Sequence, residues 1–497
     1  MSVSIFIIFG CLLLSLYLGI RARRGKDMNL EQWTVGGRGF GTLFLILLMA
    51  GEIYSTFTFL GASGWAYGIG GPIFYFLATG SLCYIVSYFL LPPVWKYAKK
   101  HNLLSQSDFF VKKYNSPYLG VLVALVGTFA LIPYLVLQLK GLGIIVTVAS
   151  YGSISSTMAI WIGMIAVTAY VMISGIHGSA WTAVVKDILI LVVVLFLGFY
   201  IPFHYYGGIQ SMFEVIDAAK PGHLMLPDKG FSVSWYISTL ILYSLGFYMW
   251  PQYFGAAYSA KDGNAFRKNA IILPLYQLLI ILVLFVGFAA ILQVPDLKGP
   301  DVDQALLLMS IKTFDPWFVG VIGAAGLLAA IVPGSMILMT ASTLLAKNVY
   351  QVFSPSASNH KVVNIAKALV PVIALIAVYF ALNAGNTIVA LILMGLSLVT
   401  QLFPSLAASL LQTNSVTKQG AFAGILAGTA TVVYTTVTKT TIGSLFPALP
   451  QEIIDMNVGI IALIVNIVVM AVVSFATRSS RVVSKQSHSE GDVLKHN

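Results

Sequence analysis

The chain alternates long apolar runs with short polar stretches, and the runs show no two-residue period. Residues 188 to 203 read ILILVVVLFLGFYIPF. Strands of a membrane barrel would alternate polar and apolar positions over about ten residues, so this pattern predicts helices. A helix rises about 1.5 Å per residue, and about 20 apolar residues cross a hydrocarbon core of about 30 Å. Thirteen runs approach or exceed that length: 3–20, 40–66, 72–93, 118–149, 155–174, 181–206, 233–255, 270–293, 316–345, 363–383, 387–411, 419–437 and 457–477. They are numbered here as segments 1 to 13.

Composition narrows the class. Of 497 residues, 58% are hydrophobic and only 9% are charged. A soluble domain carries roughly a quarter of its residues as charges, which excludes a large soluble enzyme. The net charge of +11 does not point to nucleic acid, because of where it sits. Alternate loops and the C-terminal stretch hold 22 of the 28 Lys and Arg residues, among them Arg21, Arg23, Arg24, Lys26, Arg38, Lys96, Lys99, Lys100, Lys112 and Lys113. The intervening loops hold Lys220, Lys229, Lys298, Lys312 and Lys439, and Lys140 lies inside segment 4. Basic loops face the cytoplasm, which predicts a cell-membrane protein with its N-terminus outside and its C-terminus inside. In residues 1–20 the positive charge follows the apolar stretch, so they read as a span and not as a cleaved secretory signal. Cys11 and Cys83 both lie in apolar segments and read as packing residues. The polar tail, 478–497, is predicted to be disordered.

Two segments carry breaks. Segment 2 contains MAGEIYSTFTFLGASGWAYGIGG, with Gly51, Gly61, Gly64, Gly68, Gly70 and Gly71. Segment 7 contains STLILYSLGFYMWPQYFGAAYS, with Gly246, Pro251 and Gly255. Five segments apart, they cross in opposite directions. This predicts an inverted repeat of segments 2–6 (40–206) and 7–11 (233–411), flanked by segment 1 (1–20) and segments 12 and 13 (419–477). Paired broken helices are where carriers hold their cargo near the midplane, although glycine also serves close helix packing.

Glu52 lies beside Gly51, about 18 Å from the inner end of segment 2. A charge at such a depth costs about 2.5–3.5 kcal/mol. It is a candidate proton or cation site; the plainer alternative is a carboxyl bonded to a neighbouring helix. Segment 4 contributes Tyr134, Gln138 and Lys140. Lys140 either faces a solute carboxylate or Glu52, or extends to the interface. With Tyr54, Gly246 and Trp250 at the breaks, these residues form the candidate solute site. Lys186 and Asp187 open segment 6 near the cytoplasmic surface and read as interfacial anchors, with gating as the alternative. No HExxH and no GxSxG falls on a segment, which argues against an enzyme. No ring of charges or repeated filter motif argues for a channel.

Four local motifs in order carry a resemblance: WTVGGRGFG before segment 2, SGIHGSAWTAVVKD leading into segment 6, MWPQYFGAAYSAKD ending segment 7, and LLAAIVPGSMILMTASTLLAKNVY in segment 9. Over residues 1–477 the chain resembles the solute:sodium symporter family, which includes proline, pantothenate, monocarboxylate and sugar symporters. The resemblance implies an all-α integral membrane protein with a LeuT-like five-plus-five inverted repeat. It implies cation-coupled symport of a small polar solute by alternating access, with no enzymatic cofactor and a sodium ion as the partner to expect.

In that family sodium lies between segment 2 and segment 9. The matching positions are Ala50 and Ile53, through their carbonyls. Glu52 falls where proline-type members carry an acidic residue, and Asp187 matches an Asp of the family. Segment 9 departs from the pattern Ala-Ala-x-x-Ser-(Ser/Thr). Here Ala329 and Ala330 are followed by Ile331, Val332, Pro333 and Gly334, so Pro-Gly replaces the hydroxyl pair. Pro333 frees the Ala329 carbonyl, leaving Ala329, Ala330 and Ser335 as remaining ligand candidates. Loss of two oxygen ligands weakens a sodium site and favours proton coupling through Glu52. The Pro-Gly change and PYLVLQLKGLG look closer to the monocarboxylate branch, which implies a small organic acid. An amino acid or other nutrient, a passive facilitator and a nutrient sensor are the alternatives.

Overall fold

The computed structural model describes residues 2–383 and 385–493. It is built of helices, with one isolated β-type bridge, Phe40 to Ala260, among the described residues. Helices are what long apolar runs must form in lipid, because each backbone N–H and C=O has to be satisfied within its own segment.

Among the described residues ten helices are long and apolar enough to cross a membrane, or eleven when the bent pair Thr42–Ile53 and Phe57–Gly68 counts as one span. The expected number of thirteen is therefore not met by length and composition alone. It is reached only by counting two further places differently. The helix Ser156–Tyr206 has 51 residues, about 75 Å of rise, and covers segments 5 and 6 together. It turns at Gly175, whose φ of 52° and ψ of −148° lie outside the helical range. A Cβ there would sit 2.4 Å from Cδ1 of Trp33, so the turn requires glycine. The Trp33 indole N–H donates to the Val171 carbonyl at 3.2 Å and fixes the turn from the side. The sequence predicts a polar loop at this point; a single residue does the work instead. Segment 7 is the other place: its helix Val233–Gly246 ends early and a second, Pro251–Tyr258, follows.

Segment 9 is the central post. In its most apolar stretch 94% of residues are buried, against 28% for segment 1 and 39% for each of segments 12 and 13. It packs against segments 1, 4, 5 and 6. Segments 12 and 13 pair with each other at the edge. Asn466 of segment 13 ties them inward by donating to the Gln401 carbonyl at 2.7 Å. The start of segment 2 is tied to the end of segment 7, where Phe40 N–H donates to the Ser259 carbonyl (3.0 Å) and Lys261 N–H donates back to the Phe40 carbonyl (2.9 Å). The last helix runs Val458–Val493; of the tail expected to be disordered, residues 494–497 lie outside the described residues.

Candidate functional site

Segment 2 loses its helix at Tyr54, where φ is −84° and ψ is 87°. The chain resumes as a wide helical turn, Phe57–Gly61, bent 49° from the first half. Segment 7 breaks at Trp250, which is extended (φ −61°, ψ 126°) because Pro251 follows it. Proline then starts the second half-helix, where its missing N–H costs nothing.

Segment 4 braces both breaks. The Thr56 hydroxyl donates to the Leu137 carbonyl at 3.2 Å and to Gln138 Oε1 at 2.8 Å, and Thr56 N–H donates to the same Oε1 at 3.3 Å. The Tyr134 hydroxyl donates to the Glu52 carbonyl at 3.3 Å. The Tyr134 ring lies 4.9 Å from that of Trp250. Glu52, Tyr134, Gln138, Tyr54 and Trp250 are thus brought together. They are sealed: Glu52 is 1% exposed, Trp250 3% and Tyr134 5%.

Several polar atoms in this chamber lack a hydrogen-bond partner among the described residues. They are both carboxyl oxygens of Glu52, both amide atoms of Gln252 and Nε2 of Gln138. The Gln252 amide lies close enough to the Glu52 carboxyl to act as its hydrogen-bond donor, although the geometry of a full hydrogen bond is not reached. Toward the end with the basic loops, a cavity of about 10 Å³ lies beneath Pro251 and Gly255, beside Gln106 and Thr343. It holds about one water. At the opposite end residues 299–304 pack on the second half of segment 2: a Cβ on Gly64 would meet the Val302 carbonyl at 2.8 Å.

The second cluster is one that the sequence misplaces. By position Lys186 and Asp187 are expected as interfacial anchors, and by resemblance Asp187 is expected in cation coupling; they are 0% and 4% exposed. The turn at Gly175 carries segment 6 back beneath the break in segment 2. There the Lys186 ammonium donates to the Gly51 carbonyl at 2.6 Å and to the Tyr54 carbonyl at 2.8 Å. It also pairs with Asp187 Oδ1 at 3.0 Å. Asp187 Oδ1 accepts from the Tyr276 hydroxyl at 3.3 Å, and the Tyr54 hydroxyl donates to the Tyr276 carbonyl at 3.2 Å. A Cβ on Gly51 would meet Ala183 at 3.2 Å, Val332 at 3.5 Å and Lys186 Nζ at 3.7 Å, so glycine gives segments 6 and 9 their close approach.

The remaining expected residues are not gathered with these. The Ala50 carbonyl accepts from Tyr54 N–H at 3.2 Å and the Ile53 carbonyl from Ser55 N–H at 3.1 Å. The Ser335 hydroxyl donates to the Val332 carbonyl at 2.6 Å and lies 2.7 Å from the Ser179 hydroxyl. Ala329, Ala330 and Pro333 are buried in segment 9. A Cβ on Gly334 would meet Val167 at 3.8 Å and Gln138 at 3.9 Å. Gly246 packs on segment 11, where a Cβ would fall 2.0 Å from Thr400 Oγ1. Lys140 stands at the end away from the basic loops, donating to the Asn386 carbonyl. The sequence offered one signal for Lys186 and Asp187: two adjacent opposite charges at a depth where a helix is otherwise apolar.

A sequence model of the "Sodium:solute symporter family" matches residues 33–428. The chain is 68% identical over 97% of its length to the "Uncharacterized symporter YhjB" of Bacillus subtilis, covering 98% of that protein. It is 27% identical to the "Monocarboxylate transport permease protein" of Rhizobium johnstonii, over 76% of this chain and 78% of that one. Its fold is shared with a Na+-coupled sialic acid symporter solved in an outward-open, substrate-bound state, at a TM-score of 0.74 and 16% identity, over 95% of this chain and 97% of the other. This chain, with its helices broken at Tyr54 and Trp250, belongs to the sodium:solute symporter family.

Proposed function

We propose that the protein is a secondary active symporter that carries a small organic acid with a cation into the cell by alternating access. Its N-terminus is outside, and its cargo lies between the breaks of segments 2 and 7. One observation carries the reading: beside the two breaks lie buried polar atoms that close no hydrogen bond among the described residues, namely both carboxyl oxygens of Glu52, both amide atoms of Gln252 and Nε2 of Gln138. Buried polar groups left unpaired cost about 1–3 kcal/mol each, so a cluster of them beside two helix breaks is suited to being completed by something carried. The amide N–H groups of Gln138 and Gln252 suit a carboxylate, and the faces of Tyr134 and Trp250 suit its short apolar part. A second anion beside Glu52 is repelled unless a positive charge enters with it, which makes the cation obligatory. A monoanion with one cation moves no net charge, so the cation's own gradient drives uptake. Lys140, at the outer end, would meet the carboxylate on entry. The relative named a monocarboxylate permease favours the same solute class.

A second reading has one observation in its favour. The Glu52 carboxyl, within electrostatic reach of Tyr134, is also a fitting environment for a substrate ammonium, as in an amino acid.

Counterflow in proteoliposomes separates these. Unlabelled solute inside should drive entry of labelled pyruvate, lactate or propionate, and not of alanine or proline. Exchange of the amino acids alone would establish the second reading; no exchange with either group would sink both. Gln252→Leu should weaken acid exchange about tenfold, the value of one hydrogen bond to a charged group.

A further inference from the structure

We infer that the side chain of Lys186 is the resident cation of this carrier: its ammonium occupies the carbonyl ligands exposed at the break in segment 2, and the coupling ion is a proton bound and released there. The inference rests on the cation-coupled reading above and adds the identity of the cation.

A helix broken at mid-membrane leaves carbonyl oxygens with no N–H to accept from, and a small monovalent cation is the usual remedy. Here the Gly51 and Tyr54 carbonyls already have a positive partner within 2.8 Å. Its third N–H is used by Asp187 at 3.0 Å. An ammonium has three donors and no acceptor, so this set is complete. From segment 9, a Cβ added at Gly51 would meet a methyl of Val332 at 3.5 Å, and the Ser335 hydroxyl is already engaged with Val332 and Ser179. A sodium ion would need several oxygens and would have to displace a buried ammonium from two of them.

The proton's path balances simply. The neutral amine takes a proton from water on its lone pair, which forms the N–H that closes the clamp on segment 2. On release, that N–H breaks, the proton passes to water on the other side, and the amine keeps two donors for three acceptors. One of the contacts with Gly51, Tyr54 and Asp187 must then open, which loosens segment 2 from segment 6. Every ionisable group facing the clamp can be named. Glu52 of segment 2 lies within electrostatic reach. Asp187 is on segment 6, and Tyr276 of segment 8 donates to it. Tyr54 is on segment 2 and Tyr134 on segment 4. Segment 9 supplies Val332, and segment 7 supplies the uncharged Gln252.

The test uses the full chain. Radioactive sodium binding to the purified protein needs no knowledge of the solute, and no saturable binding is expected. Saturable sodium binding would overturn the inference whatever the transport result. In proteoliposomes loaded without sodium, an external acid step should drive accumulation of labelled pyruvate, whereas a sodium gradient at equal pH should drive none; the opposite pattern also overturns it. Lys186→Met should lower acid-driven accumulation about tenfold or more, as expected for loss of a buried charged hydrogen-bond donor, and residual uptake should no longer vary with pH. A Lys186→Met protein whose uptake keeps the wild-type pH profile would overturn the proton role. Should that variant not fold, the two wild-type measurements decide. Failure of every tested acid in counterflow defeats the substrate reading, and sodium binding still judges Lys186.

Discussion

At the scale of single residues, two carboxyl groups outside the spans have opposite electrostatics. Asp108, in the short helix Gln106–Tyr114, is pushed up most strongly by burial, but the Lys347 ammonium and the hydrogen bonds to the carboxyl together hold it below the usual value. The Leu104 N–H at 2.8 Å and the Asn348 amide at 2.8 Å add to the effect. Its stabilisation is therefore present above the ordinary Asp value and lost as pH falls through the lowered one. Asp108→Ala strands the partly exposed Lys347 and should cost about 2 kcal/mol, read as a lower melting temperature at neutral pH. Asp303 is pushed the other way, up to about 7, chiefly by burial, against the Ile388 N–H and Lys140. Because the folded state holds this proton more tightly than the unfolded chain, stability is greatest below 3.8 and falls as pH rises toward about 7. Asp303→Asn should flatten the melting temperature across that window; an unchanged slope would show that other groups set it.

At the scale of elements, the break in segment 2 is held between a helix that braces it and one that clamps it. Segment 4 binds it through Thr56 and Gln138, and segment 6 through Lys186. Gly51 is the point through which segments 6 and 9 both approach. Gly51→Val would place methyl groups against Ala183 and Val332, at about 1–3 kcal/mol for an overpacked core. Uptake should fall about tenfold or more even where the protein still folds, because the clamp on the Gly51 carbonyl shares the same space. Folded protein is checked by elution volume in detergent, and uptake by the pyruvate assay. Wild-type uptake in folded Gly51→Val would mean that the close approach serves packing alone.

At the scale of the whole molecule, orientation is the open quantity to measure. With Cys11 and Cys83 replaced by Ser, a single cysteine at Asp228 should react with an impermeant maleimide added outside cells. One at His101, at the end of segment 3, should react only after permeabilisation. The reverse labelling would invert every loop assignment that follows from the basic residues. Much of the architecture was legible beforehand, because hydropathy and backbone hydrogen bonding are local. An apolar run of about 20 residues becomes a membrane helix wherever it sits. Gly51, Gly246 and Pro251 marked where helices would fail, since proline and glycine act on their own turn. The number of spans was harder, because a 51-residue helix turning on one glycine shows no loop.

The sequence by itself therefore determined the class of molecule, the places of its breaks and the acidic residue beside the first of them. Only the tertiary structure decided what the break in segment 2 is bonded to. Lys186 lies 135 residues from Gly51 and 132 from Tyr54. Its position along the chain, at the start of a helix after a polar motif, gives an interfacial reading. The turn at Gly175 and the packing of segment 6 against segments 2 and 9 bury it instead. Helical periodicity states which side of a helix a residue occupies. Whether that side meets lipid, water or a freed carbonyl is a property of the assembled bundle.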